Sequence, residues 1–143
     1  MKDCYSELTI CGPSNVLDTF QSTNLHFSKL YPCPAELTVE WCLEHWGTPY
    51  ENKKNPDPDA YSIMESQSDT IIRSRSINTL SLRIWTLESP PTLFLEYLIK
   101  QNPDIYIKNL WSVGEKEGLW VGYMEDGSLK KVHGEWTFRQ TGF

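Results

Sequence analysis

The segment TLSLRIWTLESPP, residues 79–91, decides the fold that the sequence predicts, because it joins a strand directly to a helix. Apolar and polar residues alternate along its first part, which is typical of a strand with one buried face. Its inward-facing residues are Leu80, Leu82 and Ile84. Ser89 followed by Pro90 and Pro91 is a typical helix start, with Ser89 as the N-cap and Pro90 in the first helical position.

The N-terminal third of the chain predicts one further strand and two helices. The segment CYSELTICG, residues 4–12, alternates in the same way and is expected to be a strand. Ser14 is positioned to cap a short helix. Residues 25–34 lead into two prolines, so we expect an extended connection there. A second helix is then expected, with Pro34 in its first turn and Gly47 just past its end.

The remaining segments predict strands and a loop. Residues 51–61 are polar and lack periodicity, which is typical of a mobile loop, and a strand is expected within residues 63–77. The helix that follows residues 79–91 should end at Asn102. Three further strands follow, with turns at residues 114–118 and at residues 126–127.

The order of predicted elements is β, α, α, β, β, α, β, β, β, and it predicts one domain over residues 1–143. This order is typical of an α+β fold of the ferredoxin-like split β-α-β type, here with an inserted helix and an extended antiparallel sheet. The helices are expected on one face of the sheet.

The composition is that of a soluble protein with many large rings. Of the 143 residues, 39% are apolar and 22% charged, and the formal net charge is −6. An acidic balance argues against non-specific binding to nucleic acid, which requires a basic face. The sequence shows no signal peptide and no run of roughly 20 apolar residues, the length of a membrane helix. We therefore expect a cytoplasmic protein that makes no membrane contact.

Several segments together resemble one family. CYSELTICGP, LHFSKLYPCPAEL, WCLEHWGTPYE, RIWTLESPP and LWVGYMEDG stand in the same order as the motifs of the YubB ferredoxin-like proteins of phages, plasmids and other mobile elements. The resemblance covers almost the whole chain. It implies the same fold and a viral, phage or plasmid origin, with the host cytoplasm as the site of action if the origin is viral, and it implies no particular reaction. Its signature residues are Trp41, Trp46, Gly47, Thr48, Pro90 and Pro91.

Metal binding and catalysis find little support in the sequence. His26, Cys33, Cys42 and His45 include the ligand types that zinc prefers, but structural zinc sites usually take ligands as close pairs from two knuckles. The four cysteines form no CxxC pair, so we expect reduced thiols. There is no nucleophile elbow and no phosphate-binding glycine loop. We predict no metal, no cofactor and no catalytic residue; a small enzyme of unidentified reaction is the second alternative.

Binding to single-stranded nucleic acid is the first alternative, because sheets of this class can stack bases on exposed aromatic rings. The net charge and the lack of an RNP-type motif disfavour it. The candidate residues for this function are Arg73, Arg75, Trp111 and Trp120, with Tyr106 and Tyr123 beside them.

The favoured function is a protein-interaction module that binds a host or viral protein. Glutamates recur every four residues along the helix that ends at Gly47, which predicts one acidic edge. Tryptophan and tyrosine are common anchors of interfaces. The predicted binding residues are Glu36, Glu40, Glu44, His45 and Tyr50.

Overall fold

The computed structural model describes residues 2–49 and 70–137, which form an α+β fold of one six-stranded sheet and four helices. The strands are β1 (Asp3–Cys11), β2 (Ile71–Arg75), β3 (Thr79–Leu87), β4 (Tyr106–Val113), β5 (Lys116–Glu125) and β6 (Ser128–Thr137). The helices are α1 (Ser14–Ser22), α2 (Phe27–Leu30), α3 (Val39–His45) and α4 (Thr92–Gln101).

The sheet is antiparallel throughout, with the strand order β2-β3-β1-β4-β5-β6. One of its faces is buried. Leu8 in β1 lies opposite Leu82 on one side and Asn109 on the other, and at most 1% of each residue is exposed. The alternation predicted for β1 and β3 is therefore confirmed.

The helices cover this buried face. Leu17 of α1, Phe27 of α2, Cys42 of α3 and Leu95 of α4 belong to one core together with Leu8. Burial of apolar surface in such a core is the main stabilising contribution to the fold. Among the described residues, no helix has the length and apolar character needed to cross a bilayer.

The segment between α1 and α3 differs from the prediction. We expected residues 25–34 to be extended, but Phe27–Leu30 forms the one-turn helix α2. The proline bias acts only on the residue directly before each proline. Phe27 lies further upstream and is fully buried, with its ring stacked on Phe94 at a centroid distance of 4.0 Å. Burial therefore decides the local conformation.

Helix α3 begins later than predicted, at Val39 and not near Pro34. Thr38 is its N-cap, and the Thr38 Oγ1 atom accepts a hydrogen bond from the backbone N–H of Trp41 at 3.1 Å. The predicted end is confirmed, since Gly47 follows the C-cap with a φ of +84°.

The first residues of α1 and α4 are also shifted from their predicted positions. Pro13, not Ser14, is the N-cap of α1, and the Ser14 hydroxyl instead accepts a hydrogen bond from Arg75. Pro91, not Ser89, is the N-cap of α4. The Ser89 hydroxyl donates to the carbonyl of Gly47 at 2.8 Å, so it links two segments and caps neither helix. The end of α4 at Asn102 is confirmed.

The predicted turns are confirmed at one hairpin and shortened at the other. Asp126 and Gly127 both have positive φ, as a two-residue type I′ turn requires. Between β4 and β5 only residues 114–115 form the turn, so Gly118 lies inside β5. The strand expected within residues 63–77 is β2, and the loop expected at residues 51–61 lies outside the described residues.

Candidate functional site

The end of α3 is anchored in a cluster of aromatic rings. Trp46 is fully buried, contacts the ring of Phe27 at 5.3 Å between centroids, and donates its indole N–H to the carbonyl of Tyr31. His45 stacks on Trp41 at 4.4 Å and is within hydrogen-bonding distance of the Trp41 carbonyl through Nδ1, at 2.8 Å. These contacts give Trp41, His45 and Trp46 a structural role in holding α3 against the core.

The residues after α3 are tied to the connection between β3 and α4. The Thr48 hydroxyl donates to the carbonyl of Leu87 at 2.7 Å. A Cβ atom at Gly47 would lie 3.0 Å from the backbone nitrogen of Leu93, so only glycine fits comfortably there. The structure therefore brings Gly47 and Thr48 next to the segment that contains Pro90 and Pro91.

The predicted acidic edge is assembled only in part. Glu40 and Glu44 are exposed on α3, but Glu36 precedes Thr38, the N-cap of the helix, so the three side chains do not form one helical stripe. The prediction of a single stripe is wrong because it rested on a helix that begins near Pro34. Tyr50 lies outside the described residues.

The predicted nucleic-acid residues do not form one surface. Trp111 and Trp120 lie on the helix-covered face and are only 8% and 4% exposed, so neither offers an open ring for stacking a base. Arg75 is engaged with α1 through an ion pair to Asp18 at 2.8 Å. Arg73 alone of the four is exposed.

The opposite side of the sheet has no helix over it among the described residues. We call this side the open face. It carries several large apolar and aromatic side chains that are more than a third exposed: Tyr106 (40%), Leu110 (44%), Val132 (68%) and Trp136 (39%). Of these four residues, the sequence-based predictions named only Tyr106.

A pocket of about 330 Å³ lies on the helix-covered side, between the start of α4 and strands β4 to β6. We call it the indole pocket, because Trp111 and Trp120 line it. Glu96 of α4 also lines it, and the Glu96 carboxylate pairs with Lys131 of β6 at 3.1 Å. His133 stands beside Lys131 on the same strand, at the exposed edge of the pocket.

Two glycines of β5 make room for the indole rings. A Cβ atom at Gly118 would lie 2.2 Å from Cζ2 of Trp111, and one at Gly122 would lie 2.3 Å from Cη2 of Trp120. Each ring therefore rests on a glycine. The sequence GLWVG carried this signal, because an interior strand glycine often marks a close approach of another group.

Trp120, one of the residues that line the pocket, has an unpaired indole nitrogen. It is buried, and it has no hydrogen-bond partner among residues 2–49 and 70–137. A buried indole N–H normally finds an acceptor, and leaving it unpaired costs about 1–3 kcal/mol. On the facing strand, the Oδ1 atom of Asn109 is likewise buried without a partner among the described residues.

In the described part of the chain, no group of three or more His, Cys, Asp or Glu side chains could hold a metal ion, and this includes the zinc-type residues His26, Cys33, Cys42 and His45. Cys42 is fully buried in the core. Cys4 is also buried, and loss of solvation raises the pKa of its thiol from 9.0 to about 12, an effect that hydrogen bonds with Thr86 and Ser6 oppose. The Cys4 thiol is therefore protonated and unreactive near neutral pH.

Comparison with known proteins does not extend these observations. No family model, no curated protein and no solved structure matches the chain, and the resemblance to the YubB proteins stays a prediction.

Proposed function

We propose that the protein is an interaction module that binds a protein partner through the open face of its sheet. The observation that carries the proposal is the exposure of Leu110 and Val132, at 44% and 68%, on a face that also presents Tyr106 and Trp136. Clustered exposed apolar side chains on a soluble protein mark interaction sites. The proposal keeps the predicted class of function and moves its surface from the α3 edge to the sheet.

Two lysines of the open face favour a partner that carries carboxylates. Lys108 and Lys130 are exposed there, and neither makes a salt bridge within the described residues. The acidic side chain of Glu7 is offset by Arg83 at 3.3 Å, an ion pair whose geometry falls short of a hydrogen bond. Lys108 and Lys130 are thus unpaired cations beside Tyr106 and Tyr123, which suits a partner segment of apolar residues that also carries carboxylates.

The fold type and origin belong to the same proposal. Strands β1 and β2 are joined through helices and lie two positions apart, with β3 between them, in the order β2-β3-β1-β4. This order supports the ferredoxin-like split β-α-β assignment. The resemblance to the YubB proteins supports a viral, phage or plasmid origin and action in the cytoplasm of a host cell.

Single-stranded nucleic acid is the second candidate occupant of the open face. The rings of Tyr106 and Tyr123 lie 6.0 Å apart with an interplanar angle of 24°, and they are side by side on neighbouring strands. Lys108 and Lys130 flank them. Aromatic rings beside lysines are the two elements that single-strand binders combine.

The test compares variants of exposed residues. Leu110→Glu and Val132→Glu place a carboxylate on the open face, whereas the matched control Ile77→Glu changes a 79% exposed residue in the turn between β2 and β3. All three should fold, which circular dichroism checks. Affinity purification from host cells should recover the same dominant protein with the wild type and with Ile77→Glu, and lose it with the two open-face variants.

The outcomes separate the two occupants. If all four proteins recover the same partner, the open face is not the binding surface and the proposal is wrong. If no protein is recovered but a labelled single-stranded oligonucleotide binds with steep salt dependence, and binding is lost in Lys108→Glu, the second candidate replaces the first.

A further inference from the structure

We propose that β6 is a dimerisation edge, which pairs antiparallel with β6 of a second copy of this chain. The two sheets then continue into each other across a twofold axis. The proposal does not depend on the proposed partner binding, because it concerns the edge of the sheet and not its open face. It rests on the outward backbone groups of β6, on the regularity of the strand and on a charge pattern that complements itself.

Strand β6 presents a row of unpaired backbone groups. It is the last strand of the sheet and, among the described residues, pairs only with β5. The two-residue turn before it makes Glu125 and Ser128 a hydrogen-bonded pair, and such pairs recur at every second residue. The residues between them turn their N–H and C=O groups away from β5. Within the described chain these groups have no partner, and they belong to Leu129, Lys131, His133, Glu135 and Thr137.

The two edges of the sheet differ in how well they can accept another strand. Natural sheets protect an edge by keeping it short or by introducing a β-bulge or a proline. At the opposite edge, β2 has five residues, and its register shifts between Ile72 and Ser74. Strand β6 has ten residues, contains no proline and follows β5 in one unbroken register. The β6 edge is therefore the one that can continue the sheet.

The charge pattern of β6 selects a second copy as the partner. With the twofold axis at His133, Lys131 of each copy lies opposite Glu135 of the other. Opposite charges attract in such cross-strand pairs. A shift of the pairing by two residues loses both pairs, because Lys131 then faces His133 or Thr137. The register centred on His133 also pairs the whole outward row, from Leu129 to Thr137.

Lys131 and Glu135 have capacity for this second contact, although each already has a partner. Lys131 pairs with Glu96 at 3.1 Å, and Glu135 pairs with Lys116 at 3.4 Å. The side chains of Lys131 and Glu135 are still 46% and 57% exposed, and an ammonium group carries three donors. The dimer joins these ion pairs into a row of alternating charge, in the order Glu96, Lys131, and then Glu135 and Lys116 of the second copy.

Lys130, on the open face, meets a complementary group in the same register. Lysine on an edge strand usually opposes pairing with another strand. With the axis at His133, however, Lys130 of each copy lies opposite Trp136 of the other. A cation is attracted to the face of an indole ring, and Trp136 is 39% exposed. Both lysines of β6 therefore favour this pairing.

The mass of the purified chain in solution tests the proposal. Sedimentation velocity is measured from about 1 µM to about 500 µM, because an interface formed by one strand edge is small and its affinity modest. The average mass should rise towards that of a dimer, and amide hydrogen exchange should slow with concentration at the outward N–H groups of β6. A monomer at every concentration would overturn the proposal, and so would slowing at β2 in place of β6.

Two variants of His133 test whether the backbone makes the contact. His133→Pro removes an N–H that β5 does not use, and proline is tolerated on an edge strand when the missing N–H faces outward. It removes two hydrogen bonds at the axis and should weaken the dimer at least about tenfold. His133→Ala, the matched control, keeps the N–H and should dimerise like the wild type. A folded His133→Pro that dimerises as tightly as the wild type would contradict the pairing.

Two charge variants test the register and the identity of the partner. Lys131→Glu and Glu135→Lys each place like charges opposite each other, so each alone should dimerise more weakly than the wild type. Mixed in equal amounts they should form a heterodimer, because the two substituted side chains then attract each other and the two unchanged ones do so as well. If both variants fold by circular dichroism and the mixture dimerises no better than either alone, the proposed register is wrong.

Two further variants serve as controls for these measurements. Glu40→Lys changes the net charge as Glu135→Lys does, but on the exposed side of α3, and should leave the dimer unchanged. Leu110→Glu should also dimerise like the wild type, which separates this proposal from binding of a partner to the open face. Equal weakening of the dimer by Glu40→Lys and by Glu135→Lys would show that net charge, and not the pairing of β6, controls association.

Discussion

Replacing Gly118 by alanine tests whether β5 is shaped around the indole of Trp111. The added Cβ would lie 2.2 Å from Cζ2, 2.3 Å from Cε2 and 2.6 Å from Nε1 of Trp111. Carbon atoms pack at about 3.5–4.0 Å, so the indole has to retreat by about 1 Å or more. Trp111 is only 8% exposed, and the surrounding side chains leave it little space for such a shift.

The magnitude follows from two opposing effects. Overpacking of this kind usually costs about 1–3 kcal/mol. Alanine loses less conformational entropy than glycine when the chain folds, which offsets roughly 0.5–1 kcal/mol of this cost. We therefore expect Gly118→Ala to lower the free energy of unfolding by about 1–2 kcal/mol, and the midpoint temperature by about 2–4 °C for each kcal/mol.

The matched control is Gly134→Ala in the neighbouring strand. Gly134 pairs with Leu119, one residue along β5 from Gly118, and an added Cβ would meet nothing within 4 Å. This variant should be as stable as the wild type or slightly more stable. Urea unfolding followed by far-ultraviolet circular dichroism measures both.

A double-mutant cycle shows whether the clash is the cause. Trp111→Leu is destabilising alone, but it removes the ring that the new methyl group meets. Gly118→Ala should then cost at least about 1 kcal/mol less in that background than in the wild type. If Gly118→Ala is as stable as the wild type, or if both glycine variants are destabilised alike, the packing of Trp111 on Gly118 is not as described.

Three further predictions concern other parts of the molecule. Burial holds the pKa of the Cys4 thiol at about 12 instead of 9.0, so the unfolded chain loses this proton at a lower pH than the folded chain. The free energy of unfolding should therefore fall as the pH rises from 9 towards 12, by about 2 kcal/mol at pH 10.5. Denaturant unfolding at pH 9 and at pH 10.5 measures this fall, which should be smaller in Cys4→Ala. Thr48→Val removes a buried 2.7 Å hydrogen bond to the carbonyl of Leu87 and should lower the free energy of unfolding by about 1 kcal/mol. An unchanged midpoint in a denaturant titration would show that this hydrogen bond does not stabilise the fold. Charge reversal at Glu40 and Glu44 should leave partner capture unchanged if the open face is the binding surface, and loss of capture would restore the acidic-edge hypothesis.

The central strands β1 and β3 could be predicted because their apolar and polar residues alternate regularly. In β1 and β3 the apolar residues fall on alternate positions, so a slip of one residue in the pairing would take Leu8 and Leu82 off their shared face. The end of α3 could be predicted because a positive φ just past a helix favours glycine, which Gly47 supplies. These signals are local, so the sequence alone reveals them.

The helix starts were harder because their capping groups have distant partners. The hydroxyl of Ser89 looked like an N-cap, but it donates to the carbonyl of Gly47, 42 residues away in the chain. The hydroxyl of Ser14 accepts from Arg75, 61 residues away. A contact over such a separation leaves no trace in the local sequence, and it decides which serine is a cap.

The indole pocket could not be predicted because β4 has an ambiguous pattern. Its buried positions include the polar Asn109, and its open positions include Leu110, so the hydrophobic alternation does not say which face holds Trp111. The nucleic-acid alternative named Trp111 and Trp120 as candidate stacking rings, whereas the structure buries both. The ion pair of Glu96 and Lys131, which completes the pocket, joins residues 35 positions apart.

Gly118 has a second role, because it favours one register of the hairpin formed by β4 and β5. Trp111 lies directly opposite Gly118, and the neighbouring pair places Leu110 opposite Leu119. A slip of one residue between β4 and β5 would bring a side chain beneath the indole and would exchange the faces of Leu119 and Trp120 relative to β4. Glycine at position 118 therefore favours one pairing over its neighbours. That pairing puts Leu110 and Leu119 on the open face and Trp111 and Trp120 on the helix-covered face.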